Sequence, residues 1–369
     1  MNFSRSSFIR VFSLFFILDC GTVALAQTEK PANDQTTRTG RNADDVRRGD
    51  NGIRLMFYNV ENLFDVVNDS LTADDEYTPS GMRGWSYSRM QRKINNISKV
   101  VIKVGGWEAP EIIGLAEIEN RYVLTDLVMD SPLKNFGYRI IHHDSPDPRG
   151  IDVAMLYRPE KFRPLVTNFI GIHFPFDPGA RTRDILFVQG VVLKRDTVDI
   201  FVNHWPSRFG GYQETIPKRN YVAGILRHCI DSIMTAKPLA KIIVMGDLND
   251  EPTDESVDKV LNAKRDSTNL TAKDLYNMMT GAGCSWNRGT IKDKELWLTI
   301  DQFIVSASLL NPSAGIHTTA HSIHIMDAPF LLQQDETWFG QKPFRTYYGP
   351  KYLGGFSDHL PIYMDLTYQ

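Results

Sequence analysis

Apolar residues recur along this chain with two spacings, one typical of strands and one typical of helices. Runs rich in Ile and Val predict buried strands, and apolar positions three or four residues apart predict amphipathic helices. Strands are predicted at residues 53–58, 111–116, 138–142, 153–157, 185–193, 198–202, 241–245, 299–305 and 360–366, with a short one at 322–326; helices are predicted at 89–104 and 218–234. Because strands outnumber helices and several connections are short, we expect mixed sheets flanked by helices.

The polarity of the chain changes sharply near residue 52. Residues 27–51 are polar and charged with almost no large apolar side chain, which predicts a disordered leader. No long linker, repeat or low-complexity tract interrupts the sequence from there to the end. We therefore expect one large domain over residues 52–369.

The first 26 residues have the three parts of a secretory signal peptide. Arg5 and Arg10 supply the basic flank, residues 8–18 supply the apolar core, and residues 24–26 (ALA) form a cleavage site, which predicts a mature chain from Gln27. The alternative is a membrane anchor, but the apolar stretch is shorter than the ~20 residues that a spanning helix needs. The sequence thus predicts a secreted or periplasmic protein without stable membrane insertion.

Charge and cysteine content narrow the class of protein further. A formal charge of −3 excludes a strongly basic nucleic-acid coat protein, although an enzyme that cuts nucleic acid needs only a local basic strip. Cys20 offers lipoprotein processing as an alternative, although Asp19 precedes it where a small residue is expected. Cys229 and Cys284 either pair in an oxidising compartment or remain buried thiols.

Acidic and amide side chains stand at the ends of several predicted strands. Oxygen donors without cysteine companions suit hard cations, so the set predicts Mg²⁺, with Mn²⁺ or Ca²⁺ as alternatives. Taken singly, each residue has a simpler explanation as a turn residue or helix N-cap. The set comprises Asn59, Glu61, Asn62, Glu117, Glu119, Asn120, Asp247, Asn249 and Asp358.

Two histidines accompany this acidic set. His204 closes the strand at 198–202, and His359 directly follows Asp358. Imidazoles beside carboxylates can donate protons and hold phosphate near neutral pH. Asp301, inside the strand predicted at 299–305, needs a partner if it is buried, and His359 is the partner we expect.

Six ordered phrases, taken together, resemble the endonuclease/exonuclease/phosphatase superfamily. That superfamily includes deoxyribonuclease I, the apurinic endonucleases, the inositol polyphosphate 5-phosphatases and the neutral sphingomyelinases. The phrases are residues 58–62 (YNVEN), 115–117 (LAE), 203–204 (NH), 246–249 (GDLN), 300–301 (ID) and 357–362 (SDHLPI). The resemblance spans residues 53–368 and implies a four-layer α/β sandwich, in which two packed mixed β-sheets are flanked by helices.

The resemblance also implies a metal site. Glu117 matches the principal metal-binding glutamate, and Asn59 matches the asparagine beside the metal. Glu61 stands where some members have an aspartate ligand. Asp358 resembles a carboxylate on the metal side of the site.

The catalytic roles follow from the same resemblance. Asp247 matches the residue that orients or deprotonates the attacking water, and Asn249 matches the amide that holds a phosphate oxygen. His359 resembles the imidazole that contacts the scissile phosphate, with Asp301 as its orienting partner. His204 matches a histidine of deoxyribonuclease I and the phosphatases rather than the apurinic-endonuclease pattern.

Three arginines near strand ends extend this site toward a substrate. Arg149, Arg208 and Arg183 could hold phosphate in bidentate fashion, and their phrases resemble those of predicted extracellular bacterial nucleases. The simpler explanation is surface arginine beside turns.

Three functions compete on this evidence. The leading one is a secreted, metal-dependent phosphodiesterase that cleaves DNA or RNA, with endonuclease action, nucleic acid as its partner and no obligate protein partner. The second is a phosphatase or phospholipase C-like phosphoesterase that acts on an inositol phosphate, a sphingolipid or another small phosphoester. The third is a binding protein without activity, which predicts the loss of catalytic residues, whereas every matched position carries usable chemistry.

Overall fold

Nineteen strands and three α-helices make up the part of the chain that the structure, a computed structural model, describes: residues 48–280 and 288–368. The strands are β1 Gly52–Leu63, β2 Ile112–Ile118, β3 Arg139–His142, β4 Asp152–Tyr157, β5 Phe162–Ile170, β6 Ile185–Val192, β7 Asp196–His204, β8 Ile242–Asp247, β9 Ala263–Lys264, β10 Leu275–Asn277, β11 Ile291–Asp293, β12 Leu296–Leu298, β13 Asp301–Ser306, β14 Ile323–Ile325, β15 Leu332–Gln334, β16 Gln341–Pro343, β17 Tyr347–Tyr348, β18 Lys351–Tyr352 and β19 Ile362–Thr367. The helices are α1 Tyr87–Gly105, α2 Arg121–Met129 and α3 Tyr212–Ala236. The predicted signal peptide, Cys20, most of the leader and Cys284 lie outside the described residues.

The strands form two large mixed sheets. One has six strands in the order β14-β19-β1-β2-β4-β3, and the other has seven in the order β5-β6-β7-β8-β13-β10-β9. In these sheets β1 runs parallel to β2, β7 to β8, and β9 to β10, while the other neighbours are antiparallel. Three two-stranded sheets, β11–β12, β15–β16 and β17–β18, lie outside them.

The two sheets pack face to face on a shared apolar core. Phe57 of the six-stranded sheet belongs to one buried cluster with Ile200, Met245 and Phe303 of the seven-stranded sheet. Gly114 marks a narrow point, because a Cβ there would lie 2.9 Å from the terminal carbon of Met245. Each fully buried side chain of this size stabilises the fold by about 1.5–3 kcal/mol, so this interface is a principal source of stability.

Helices cover the outer faces of both sheets. The predicted apolar face of α1 is buried against the six-stranded sheet, together with side chains of α2. Helix α3 packs with Phe201 and Val244 of the seven-stranded sheet. The order helix, sheet, sheet, helix confirms the predicted four-layer α/β sandwich. None of the described helices combines the length and hydrophobicity needed to cross a membrane.

The structure also has elements that the spacing of apolar residues did not predict. Helix α2 is short, and Asn120 is its N-cap, since its side chain accepts hydrogen bonds from the N–H groups of Tyr122 and Val123. Asn120 is therefore a helix N-cap, which is the simpler of the two explanations that the sequence left open, the other being a metal ligand. Strand β5 was missed because much of it is exposed and it contains Pro164 beside an irregularity in its pairing.

Candidate active site

Three neighbouring strands of the seven-stranded sheet place three predicted catalytic residues in one row. In the strand register His204 of β7 pairs with Asp247 of β8, and Asp247 pairs with Asp301 of β13. Strands β7 and β8 are parallel and end at the same edge, where the antiparallel β13 begins. Regular strand pairing therefore brings together residues that are up to 97 positions apart, from 204 to 301.

Residues from the six-stranded sheet complete the cluster around Asp247. The Asn59 side-chain N–H group donates to Asp247 Oδ2 at 3.0 Å. The His359 ring meets Asp301 Oδ2 through Nδ1 at 2.7 Å, as the sequence predicted for this pair, and its Nε2 lies 3.8 Å from Asp247 Oδ2. The Nε2 atom of His204 lies 3.6 Å from the same Asp247 oxygen. A carboxylate shared by two imidazoles and an amide thus joins the two sheets.

Burial and neighbouring charges shift the pKa values of Asp247, His359 and His204 in different ways. Burial and the nearby Asp301 raise the pKa of Asp247 to about 7, although His359 opposes this shift. Burial alone would lower the pKa of His359, but Asp301 and Asp247 outweigh it and hold that pKa well above its usual value. Burial, together with Arg183 and Arg149, holds the pKa of His204 well below its usual value. Near neutral pH, His359 is therefore a cation and His204 is neutral.

The loop after β8 carries Asn249 beside this cluster. Its backbone N–H donates to Asp247 Oδ1 at 2.9 Å, and its side-chain amide donates to the Trp205 carbonyl at 3.0 Å. A primary amide has two N–H groups, so one remains to meet a substrate oxygen.

Glu61 and Asp358 meet at a residue that the sequence analysis missed. Arg345 donates to Glu61 Oε1 at 3.1 Å and to Asp358 Oδ2 at 2.9 Å, and the Thr346 N–H donates to Glu61 Oε2 at 2.6 Å. Burial and Asp358 raise the pKa of Glu61 to about 7, while Lys93 and Arg345 oppose this shift. Burial alone would raise the pKa of Asp358, but Arg345, His359 and Lys93 outweigh it and lower that pKa.

Glu117 lies near the end of β2, the strand that pairs with β1. Its Oε2 accepts a hydrogen bond from the Asn62 N–H at 2.9 Å and lies 3.7 Å from Arg149, and 13% of its side chain is exposed. Arg149 also donates to the Asn62 side chain at 2.6 Å and is 45% exposed. Both Glu117 and Arg149 therefore remain accessible to a ligand.

The backbone at these strand ends is strained. Nine non-glycine residues in the described ranges have positive φ, and four of them belong to this region: Glu61 (54°), Asn62 (58°), Glu117 (64°) and Asn249 (52°). Such conformations cost energy and concentrate where side-chain placement matters more than stability. The clustering of these four residues therefore agrees with the candidate site that their chemistry indicates.

The donor chemistry fits a hard divalent cation. Glu117, Glu61 and Asp358 offer carboxylates and Asn59 offers an amide oxygen, with no thiolate among them. Burial and then the nearby Asp358 raise the pKa of Glu61, and a cation would relieve the effect of Asp358. Among the described residues, two groupings place one donor atom of each residue within 4.8 Å of the others: Asp247, Asp301 and His359, and His142, Asp144 and Asp152. The carboxylates of Glu61, Glu117 and Asp358 do not converge this closely. One Asp301 oxygen, Oδ1, is buried in the first of these groupings without a hydrogen-bond partner.

The two remaining predicted arginines hold parts of the site in place. Arg208 donates to the Asn249 carbonyl at 2.7 Å and to Asp254 at 2.9 Å, so it braces the loop after β8. Arg183 is buried and donates to the carbonyls of His204 and Trp205. Of the three arginines, Arg149 is the most open to a phosphate.

Lys93 is a further residue that the sequence analysis missed. It is buried in α1 and donates to the Thr346 hydroxyl and the Phe356 carbonyl, which ties the segment before Asp358 to the helix. Burial lowers the pKa of Lys93 to about 8, against the opposing effect of Glu61. The sequence did contain a signal that Lys93 is buried. It lies three residues after Met90 and four before Ile97, on the apolar face of α1.

Comparison with known proteins bears on this geometry. Residues 54–368 match the model of the Endonuclease/Exonuclease/phosphatase family. No curated protein matches the chain. The match covers every residue assigned to the site above.

Solved structures show the same fold at low sequence identity. An endonuclease/exonuclease/phosphatase family protein from Bacteroides thetaiotaomicron has a TM-score of 0.53 and 17% identity, with 86% of this chain and 95% of that chain covered. A mannosyl-6-phosphatase from the same organism has a TM-score of 0.53 and 17% identity, with 86% and 100% covered. TDP2 from Caenorhabditis elegans has a TM-score of 0.52 and 16% identity, with 86% and 75% covered. At these identities the likeness establishes the fold alone.

Proposed function

The chain belongs to the endonuclease/exonuclease/phosphatase family, and we propose that it is a secreted, divalent-metal-dependent phosphodiesterase that cleaves DNA or RNA as an endonuclease. Membership of the family supports phosphoester hydrolysis as the reaction class. The observation that carries the proposal is the cluster in which Asp247 meets His204, His359 and Asn59 within 3.8 Å.

In the proposed mechanism Asp247 activates water. Asn59 orients one oxygen of the Asp247 carboxylate, and the Asn249 N–H group holds the other. The ionised carboxylate accepts a proton from the water that attacks phosphorus, and the bond from phosphorus to the leaving oxygen breaks. The raised pKa of Asp247 makes it a stronger base than an exposed aspartate.

The developing negative charge on the phosphate is met by cationic and N–H groups. His359 is held as a cation by Asp301 and can donate a hydrogen bond from Nε2. The second N–H group of Asn249 is available to a phosphate oxygen. A Mg²⁺ ion, which Asn59, Glu61, Glu117 and Asp358 would hold, would supply Lewis-acid stabilisation of the same charge.

Incubation of residues 27–369 with circular plasmid DNA and with RNA, in Mg²⁺ or EDTA, tests the proposal. We expect nicking that requires the metal and disappears in His359→Ala but persists in His321→Ala, a change at an exposed histidine. Intact nucleic acids together with phosphate release from a panel of small phosphoesters would replace the nuclease proposal with a phosphatase. Activity in EDTA equal to that in Mg²⁺ would contradict the metal requirement.

Secretion rests on residues 1–26 and has its own test. Expression of the full chain in a bacterium should yield protein outside the cytoplasm whose N-terminal sequence begins at Gln27. A full-length chain retained in the cytoplasm would contradict this part of the proposal.

A further inference from the structure

A groove with basic and aromatic walls adjoins the candidate active site. It has a volume of about 500 Å³ and lies between the β11–β12 turn and the segment of residues 333–353. The lining side chains on which the argument depends are Lys294, Trp338, Lys342, Arg345, Tyr348 and Lys351. We call it the basic groove.

Arg345 connects the basic groove to the site. Its guanidinium lines the groove and also contacts Glu61 and Asp358. Strand β11 reaches the site independently, because Ile291 forms a β-bridge with His359 and the Thr290 carbonyl accepts from the Leu360 N–H at 2.7 Å. The basic groove and His359 are therefore neighbours.

Aromatic rings stand exposed along the groove. Tyr348 is 65% exposed and Trp338 is 41% exposed, and both line the groove. The Lys342 ammonium, which also lines the groove, lies 5.8 Å from the centre of the Tyr348 ring. Flat rings beside cations are suited to stacking with bases.

The lining of the groove carries a small excess of positive charge. It holds five lysine or arginine side chains and three acidic ones. Asp335 is paired with Lys292 and Lys342 at 3.0 Å each, and Arg345 is paired with Glu61 and Asp358. Among the described residues Lys294 and Lys351 have no ion-pair partner, and neither do the acidic Asp293 and Glu336, so the two lysines are the cations available to phosphate groups.

A cavity beside Arg149 has the reverse charge. It has a volume of about 620 Å³ and is lined by five acidic side chains and one arginine: Asp69, Glu119, Asp144, Asp147, Asp152 and Arg181. A polyanion would be repelled by this lining.

We propose that the basic groove binds unpaired nucleotides on one side of the scissile phosphate, with phosphates at Lys294 and Lys351 and bases stacked on Trp338 and Tyr348. This inference rests on the proposed function and names its substrate as single-stranded rather than duplex nucleic acid. Stacking tolerates any base, since each base presents a flat face, so we expect little sequence preference.

Binding, measured apart from cleavage, tests this proposal. Fluorescence anisotropy of a short labelled single-stranded oligodeoxynucleotide, in EDTA and low salt, gives Kd for the wild type and for two double variants. Trp338→Ala with Tyr348→Ala should raise Kd about tenfold, through lost stacking. Lys294→Ala with Lys351→Ala should raise Kd about tenfold and reduce its dependence on salt. Trp107→Ala and Lys103→Ala, at exposed positions on and after α1, should leave Kd unchanged.

Several results would overturn the proposal. These are no binding of the oligonucleotide by the wild type, equal Kd values for the wild type and both double variants, or tighter binding of duplex than of single strands. Loss of binding to phosphatidylserine vesicles in the double variants, with oligonucleotide Kd unchanged, would assign the groove to a lipid surface instead.

Hydrolysis of bis(p-nitrophenyl) phosphate, which is too small to reach the groove, should stay the same in all variants. A protein that binds single strands through the groove yet leaves plasmid and RNA intact would contradict the proposed function alone.

Discussion

The two sheets contribute to the site by different means. The seven-stranded sheet places His204, Asp247 and Asp301 in one row of its regular ladder. The six-stranded sheet places Glu61 and Glu117 where the pairing of β1 with β2 becomes irregular and φ turns positive. One half of the site is thus a product of ordinary strand geometry, while the other half depends on strained backbone.

This difference indicates in which half of the site a substitution should change stability and activity together. A regular ladder satisfies its own backbone groups, so its side chains need little help to stay in place. The irregular half needs buried polar support: Glu61 depends on Arg345 and Thr346, and Lys93 ties Thr346 to α1. We therefore expect replacement of a catalytic side chain in the regular half to lower activity alone. Loss of polar support in the irregular half should lower both activity and stability.

The largest effect should come from the centre of the regular row. Asp247→Asn keeps the shape of the side chain but removes the base, and we expect the rate of phosphodiester hydrolysis to fall about 10³-fold with little change in unfolding. Asp266→Asn, at an exposed aspartate, is the control. A clear fall in the melting temperature of Asp247→Asn alongside the loss of activity would show that Asp247 supports the fold rather than the reaction.

A glycine in the same row should show how tightly the regular half is packed. A Cβ at Gly246 would lie 2.4 Å from the Asn203 carbonyl oxygen of the neighbouring strand. Gly246→Ala should therefore lower the free energy of unfolding by about 2–3 kcal/mol, measured by urea denaturation. Gly224→Ala is the matched control, because it lies in α3 with only an ordinary 3.8 Å contact and should be neutral or stabilising by about 0.5–1 kcal/mol. A neutral result at both positions would contradict the close approach of β7 and β8.

The irregular half should respond to loss of its buried lysine. Lys93→Met leaves the Phe356 carbonyl without its donor, and we expect about 1–3 kcal/mol of destabilisation together with reduced activity. Lys103→Met, at an exposed position of the same helix, should change neither. Full activity in Lys93→Met would show that the segment around Thr346 holds its place without the helix.

The last expected effect is a gradual dependence of activity on pH. Because the pKa of Asp247 is raised to about 7 and the base must be ionised, activity should rise with pH through about 7 and fall about tenfold per unit below it. Circular dichroism over the same range controls for unfolding. A rate that stays constant between about pH 5 and 8 would mean that Asp247 titrates at its ordinary pKa.

Much of the regular half could be predicted from sequence. Strands β1, β2, β7 and β8 are apolar runs that end in polar residues, and parallel strands bring their ends together at one edge. The spacing also located α1, although α3 begins at Tyr212, six residues before the prediction. Asp301 opens its strand rather than lying inside it.

The rest could not be predicted, for physical reasons. Positive φ at Glu61 and Glu117 comes from tertiary packing, which no local pattern encodes. Arg345 lies between the two short sheets of residues 332–352, which are too brief to show a period. Trp338 and Phe339 lie in a turn, so their exposure gave no signal in the sequence.

The contact between Asn59 and Asp247 has a consequence for the life of the chain. One partner belongs to β1, which also pairs with β19 from Gly52 to Phe57, and the other belongs to the second sheet. The cluster therefore exists only after the last strand has docked and both sheets have closed on each other. A chain still emerging from the ribosome therefore has no assembled site, and any activity of this cluster begins only when the whole domain has folded.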